Sequence, residues 1–133
     1  MALIFDADVI IASERGTFDL ERWSVAHADE QFEIAPITVA ELWHGVERAS
    51  APHKSRRERY LREILSGLLI VPYTEETAYQ HARLWAKLET SGKMIGYYDV
   101  IVAATALERG SKVVTFNKRH FARVQGLTMI APE

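Results

Sequence analysis

Four oxygen-bearing side chains stand at or just past the ends of apolar runs in this chain. Asp6 follows Ala2-Leu3-Ile4-Phe5, and Glu41 comes shortly after Phe32-Glu33-Ile34-Ala35. Asp99 opens the run Val100-Ile101-Val102-Ala103-Ala104, and Asn117 follows Val113-Val114-Thr115. If the apolar runs are parallel strands, these groups meet at the carboxyl edge of one sheet, where open α/β proteins bind ligands. Carboxylates gathered there repel each other unless a hard divalent cation joins them. The chemistry this implies is metal-assisted hydrolysis of a phosphate ester. Each residue also has a plainer reading when taken alone. Asp6 or Asp8 can cap the helix that follows, and Thr38 with Glu41 three residues on spells a capping box. Asp99 can cap its own helix, Asn117 suits a turn and Thr115 a strand. Asp99 resists the plain reading most, because the helix behind it is nearly all apolar and must be central.

The elements that position these residues can be read from periodicity and punctuation. Strands are predicted at Ala2 to Phe5, Phe32 to Ala35 (stopped by Pro36), Leu68 to Val71, Lys112 to Thr115 and Leu127 to Ile130. A short helix from Asp8 carries Val9, Ile10 and Ile11. Gly16 to Asp19 reads as a turn, and Leu20 to Ala28 as a helix with Trp23 and Val25 inward. A helix from Thr38 to about Ser50 is closed by Pro52. Another, from near Ser55 to Ser66, packs Tyr60, Leu61, Ile64 and Leu65 and stops at Gly67. Thr74 caps a helix with Glu75 and Glu76 in its first turn, where the dipole favours anions. Its predicted buried stripe is Ala78, Ala82, Trp85 and Leu88, and Gly92 ends it. The apolar helix from Asp99 to Glu108 stops at Gly110. Helices alternating with short strands imply a mainly parallel sheet of about four to five strands, covered on both faces.

A length of 133 residues fits one domain able to bury its own core. With no cysteine, thiolate catalysis, disulfides and cysteine zinc sites are excluded. No apolar run approaches membrane-spanning length, and the first residues lack the basic start of a signal peptide. These features lead us to expect a cytoplasmic protein. The net charge of −2 does not advertise a nucleic-acid binder, so any polyanion site must be local. Two local basic runs exist: Arg48, Lys54, Arg56, Arg57, Arg59 and Arg62, and then Lys118, Arg119, His120 and Arg123. Either can equally be a solvated helix face.

At the segments Phe5-Asp6-Ala7-Asp8-Val9-Ile10, Ile37 to Gly45, Tyr98 to Ala106 and Val113 to Asn117, the sequence resembles the PIN-domain ribonucleases. Within that family the likeness is to the VapC-type toxins of bacterial toxin–antitoxin pairs. The tail from His120-Phe121 to Gly126-Leu127 also fits, so the resemblance spans nearly all of residues 1–133 as one PIN-like domain. It implies a three-layer α/β/α fold and RNA cleavage with Mg²⁺ or Mn²⁺. By position, Asp6, Glu41 and Asp99 become the metal-binding carboxylates. Asn117 takes a fourth acidic position, and Thr115 is a polar support. Asp8 stands where the family often has Asn or Ser. The resemblance also implies a small antitoxin lying in the groove between the Glu41 helix and the Arg56–Ile64 helix, and homodimers. Arg48, Arg56, Arg57 and Arg59 are then candidate RNA or antitoxin contacts.

Two alternatives belong to other classes. Leu3 to Val9 is also similar to the nucleophile motif of haloacid-dehalogenase-type phosphatases, with Asp6 phosphorylated and Asp8 as acid/base. Thr115 and Lys118 can mimic later motifs, but that fold needs a further acidic motif, and only Glu133 remains. The second alternative is a PIN-like module that binds RNA or protein without cutting.

Overall fold

The computed structural model describes residues 1–132, so Glu133 lies outside the described residues. Five strands are described: β1 (Ala2–Phe5), β2 (Gln31–Ile34), β3 (Leu69–Ile70), β4 (Lys112–Val114) and β5 (Met129–Ile130). The helices are α1 (Ala7–Glu14), α2 (Leu20–Ala26), α3 (Pro36–Arg48), α4 (Ala51–Ser66), α5 (Glu75–Thr90), α6 (Tyr97–Arg109) and α7 (Lys118–Phe121). The strands join in the order β3-β2-β1-β4-β5, and every pairing is parallel. The chain therefore leaves β1 toward one edge through β2 and β3, then returns to build β4 and β5 on the other side. The reversal occurs beside β1, so a crevice opens past its carboxyl end, where Asp6 stands.

Strand alternation divides the core. Leu3, Phe5, Ile34 and Val114 point to one face, under α1 to α4. Ile4 and Val113 point to the other, with Val100, Val102, Ala103 and Ala106 of α6 and Leu84 and Leu88 of α5. Both faces are covered, which gives the three expected layers with an all-parallel sheet.

The departures from expectation have local causes. Pro36 begins α3 rather than merely ending the strand before it. Its fixed φ and missing N–H suit the first helical position. The helix thus starts before Thr38, Ala35 occupies the N-cap, and the Thr38–Glu41 capping box is not formed. Pro52 likewise opens α4 instead of closing α3. Asp99 is the third residue of α6 behind the N-cap Gly96, not a cap itself. Val25 is 72% exposed, because α2 has only two turns and spends its inward face on Leu20 and Trp23. In α5 the buried residues are Thr77, Leu84 and Leu88, while Trp85 is 40% exposed. Ala82 and Trp85 thus face outward and Ala78 is half-buried, one position from the predicted register. α7 falls inside the second basic run and carried no helical period long enough to read.

One buried charge ties the layers together. Glu33 of β2 is fully buried. It accepts hydrogen bonds from Arg109 Nε at 3.2 Å and Ser111 Oγ at 2.8 Å, and from Gln31 Nε2 at 2.9 Å. Arg109 is the last residue of α6, so this pair fastens the helix carrying Asp99 to the sheet.

Candidate active site

Asp6 is the residue from which the site is built. Its backbone N–H donates to Val114 O at 3.0 Å, which extends the β1–β4 ladder one step and fixes the side chain at the edge of the sheet. One carboxylate oxygen accepts from Ala7 N–H at 2.8 Å, so Asp6 does cap α1. The other accepts from the Thr115 hydroxyl at 2.8 Å. Thr115 Oγ1 in turn receives Asn117 N–H at 2.9 Å. Thr115 therefore clamps Asp6 from the neighbouring strand end. Asp8 Oδ2 accepts Phe116 N–H at 3.1 Å, while its Oδ1 is buried with no hydrogen-bond partner among the described residues.

Glu41 lies in the second turn of α3, freed from the capping role, and Asp99 in the first turn of α6. The two line a shared groove with Gly96, Tyr97 and Tyr98. The charge of Asp6 acts on both. Burial, then the charges of Asp6 and Asp99, push Glu41 up to about 7. Burial and Asp6 raise Asp99, partly offset by His120. Burial raises Asp6 against the lowering effect of its hydrogen bonds to Thr115 and Ala7. Burial and the charge of Asp6 push Asp8 up to about 6.

Asn117 stands at the expected strand end, but its amide turns to His120 Nδ1 at 2.8 Å rather than to the carboxylates. His120 joins the site without a signal in the sequence that marks it for one. It sits in a basic run indistinguishable from ordinary surface, and only α7 brings it beside Asp99. The arginines divide as well. Arg57 forms an ion pair with Glu14 at 3.4 Å and lines a small cavity with Glu41, Ile10 and Leu42. Arg48, Arg56 and Arg59 are exposed to solvent, on the last turn of α3 and on α4.

Among the described residues, no three acidic or histidine side chains converge closely enough to enclose an ion unaided. Mg²⁺ does not require such a cage, since it uses one or two carboxylates and keeps several waters. The donor set here fits it: oxygen ligands only, mutually repelling carboxylates, and a buried carboxylate oxygen left unpartnered.

The raised pKa values have a consequence for stability. For an acid whose folded pKa is raised, the folded state holds protons that the unfolded state has already released. Stability therefore falls as pH rises from the ordinary carboxylate range, near 4, to about 7. The metal-free protein should melt higher near pH 5 than near pH 8. Glu41→Gln should raise the melting temperature at the upper pH and flatten this slope. Thermal melts across pH in chelator test both, and an unchanged slope in Glu41→Gln would detach Glu41 from the acidic group.

The chain is similar to known proteins over nearly its whole length. The sequence pattern of the PIN domain matches residues 3–127. Ribonuclease VapC1 of Rickettsia felis is 34% identical over 131 residues, covering 98% of this chain and 96% of its own. The tRNA(fMet)-specific endonuclease VapC of Salmonella typhimurium is 34% identical over 94 residues, 71% of this chain and 70% of its own. A crystal structure of DNA-bound VapBC from Salmonella typhimurium superimposes with a TM-score of 0.87 at 26% identity, over 98% of this chain and 97% of that one. These relationships displace the phosphatase alternative, whose motif is confined to residues 3–9. The chain belongs to the PIN-domain family, within its VapC ribonuclease branch.

Proposed function

We propose that this protein is a divalent-metal-dependent endoribonuclease that serves as the toxin of a toxin–antitoxin pair and acts in the cytoplasm. The observation that carries the reading is the coupling of Asp6, Glu41 and Asp99 at the sheet's carboxyl edge. Asp6 and Asp99 would hold Mg²⁺ or Mn²⁺, with Glu41 beside them. An ion bound there supplies a water of lowered pKa and offsets charge on the phosphoryl oxygens. Thr115 and Ala7 N–H keep the Asp6 carboxylate in one orientation. Glu41, in the groove it shares with Asp99, is placed to accept the proton of an attacking water at its carboxylate. Asn117 adds no charge and steadies His120 beside Asp99. Cleavage of labelled RNA, with a tRNA among the substrates, should require Mg²⁺ or Mn²⁺ and stop with chelator. Metal-indifferent RNA binding without cleavage would favour the non-catalytic module instead.

The exposed arginines of α4 would contact RNA backbone, where phosphate contacts position the strand. Arg56→Ala/Arg57→Ala should weaken RNA or antitoxin binding most at low salt and little at high salt. Equal affinity for wild type and variant at low salt would return these residues to plain surface.

Cavity size favours a second groove for the antitoxin over the expected one between α3 and α4. α3 and α4 pack together and leave only about 130 Å³ between them and α1. A cleft of about 900 Å³ opens between α2 and α4, floored by Phe5, Phe18, Phe32, Tyr60 and Ile64. This is the surface suited to an amphipathic antitoxin helix. A homodimer would use the outward stripe of α5, which apolar periodicity marks for burial and the single chain leaves uncovered.

A further inference from the structure

Asp6, Glu41 and Asp99 offer a phosphodiester nothing but acceptor oxygens. A phosphoryl centre under attack gathers negative charge on its own oxygens. A fixed hydrogen-bond donor aimed at them is among the strongest contributions a protein makes to such a reaction. The second basic run, on α7, ends beside these carboxylates.

The α7 segment is short but firmly seated. Phe121 and Val124 are buried in the core with Val100 and Ala103 of α6. Arg123 Nη1 donates to Met94 O at 3.0 Å, just ahead of α6. Lys118 and Arg119 are exposed. His120 is exposed too, yet its ring is held in place. Its Nδ1 meets Asn117 Nδ2 at 2.8 Å. The Asn117 backbone N–H donates to Thr115 Oγ1 at 2.9 Å, and the Thr115 hydroxyl donates to Asp6 at 2.8 Å. These bonds connect the imidazole to the carboxylate at the sheet edge. The ring also lies near enough to Asp99 for its charge to oppose the upward push of burial and Asp6 there.

The Asn117 amide decides which ring nitrogen carries the proton. Its Nδ2 is a donor, so in the neutral imidazole Nδ1 accepts and Nε2 holds the proton. A charged ring holds a proton on Nε2 as well. Nε2 is therefore a donor in either state, and it has no partner among the described residues. A carboxylate at position 117 would instead draw the proton to Nδ1 and leave Nε2 of the neutral ring an acceptor.

We propose that His120 is a catalytic residue of this nuclease, its Nε2–H donating to a non-bridging oxygen of the scissile phosphate. The proposal rests on the ribonuclease reading of the site and adds the donor that the carboxylates lack. It also gives the amide at position 117 a use of its own, that of setting the imidazole.

The test compares the full wild-type chain with His120→Ala, His120→Gln and Asn117→Ala. End-labelled tRNA is cut in Mn²⁺ under single-turnover conditions, with protein raised to saturation. Calorimetry on the same proteins measures Mn²⁺ binding without RNA. His120→Ala should lower the saturated rate about a hundredfold, with little change in the half-saturating concentration and none in Mn²⁺ affinity. His120→Gln should recover most of the rate, because its amide nitrogen is a neutral donor near the place of Nε2. Asn117→Ala should fall between, since the ring is present but no longer fixed. Equal saturated rates for wild type and His120→Ala overturn the proposal. So does a deficit that more protein removes, which makes His120 a surface charge, or a parallel loss of Mn²⁺ affinity, which makes it act through Asp99. A His120→Gln rate as low as that of His120→Ala overturns the donor role as well. Wild type that binds tRNA and cuts none of it in Mn²⁺ overturns the ribonuclease reading itself, and the His120 contact falls with it.

Discussion

Asp99→Asn should lower RNA cleavage by about a thousandfold while raising the thermal stability of the metal-free protein. Asp99 is held in the first turn of a central, apolar helix, and Gly96 leaves its Oδ2 room that a Cβ would crowd at 3.3 Å. The asparagine keeps the size and loses the charge. An ion at the site then loses one of its few protein carboxylates, with about 4 kcal/mol of transition-state stabilisation at stake. The same change removes one of the two charges that push Glu41 up to about 7. The repulsion in the metal-free state is relieved, and the melting temperature at neutral pH rises. A variant that melts higher and cuts less separates chemistry from folding within one experiment. Single-turnover cleavage of labelled RNA in saturating Mg²⁺ and a melt in chelator are the two readouts. Retained cleavage with an unchanged fold would remove Asp99, and with it the proposed centre.

The second large effect lies far from the chemistry. Arg109→Met should destabilise the protein by about 3 kcal/mol, because it strands a buried carboxylate. For a chain of this size that corresponds to a melting temperature lower by about 10 °C. Burial raises the pKa of Glu33, but hydrogen bonds from Arg109 and Ser111 and the Arg109 charge outweigh it, and the net shift is downward. The stabilisation is therefore present above the ordinary carboxylate pKa and is lost as pH falls below about 4 through the folded value. Arg109→Met combined with Glu33→Leu should recover most of the loss, since an apolar pair of similar volume replaces the ion pair without leaving a charge behind. Denaturant melts of the two variants decide the matter. If the single and double variants are equally destabilised, the cost comes from lost packing at the end of α6 rather than from the stranded charge.

Much of the fold was legible in the residues because the signals were local and mutually consistent. Apolar runs too short for helices, glycines beyond helix ends and the Thr74 cap all follow from short-range backbone physics. Gly110, at φ +70°, is one such stop. Boundaries slipped where a proline could serve two neighbours. Pro36 can end a strand, and it equally pre-forms the first turn of a helix. That shift mattered for function, because it dissolved the capping box that offered Glu41 an ordinary role.

The α5 stripe slipped for a different reason. Trp85 and Leu88 both lie on apolar-looking positions of one helix. Which of them faces inward depends on the shape of α6 against it, and no helical period encodes that.

By itself, the amino-acid sequence determined the order of elements, the parallel sheet covered on both faces, and the oxygen side chains waiting at the strand ends. Those follow from periodicity, punctuation and the cost of burying a lone carboxylate. Only the tertiary structure decided that β1 sits between β2 and β4, so that Asp6, Glu41 and Asp99 share one electrostatic field. It alone sent Asn117 to His120 instead of to the acids. Contacts between residues distant in the chain depend on strand order and helix rotation, and a local pattern holds no record of either.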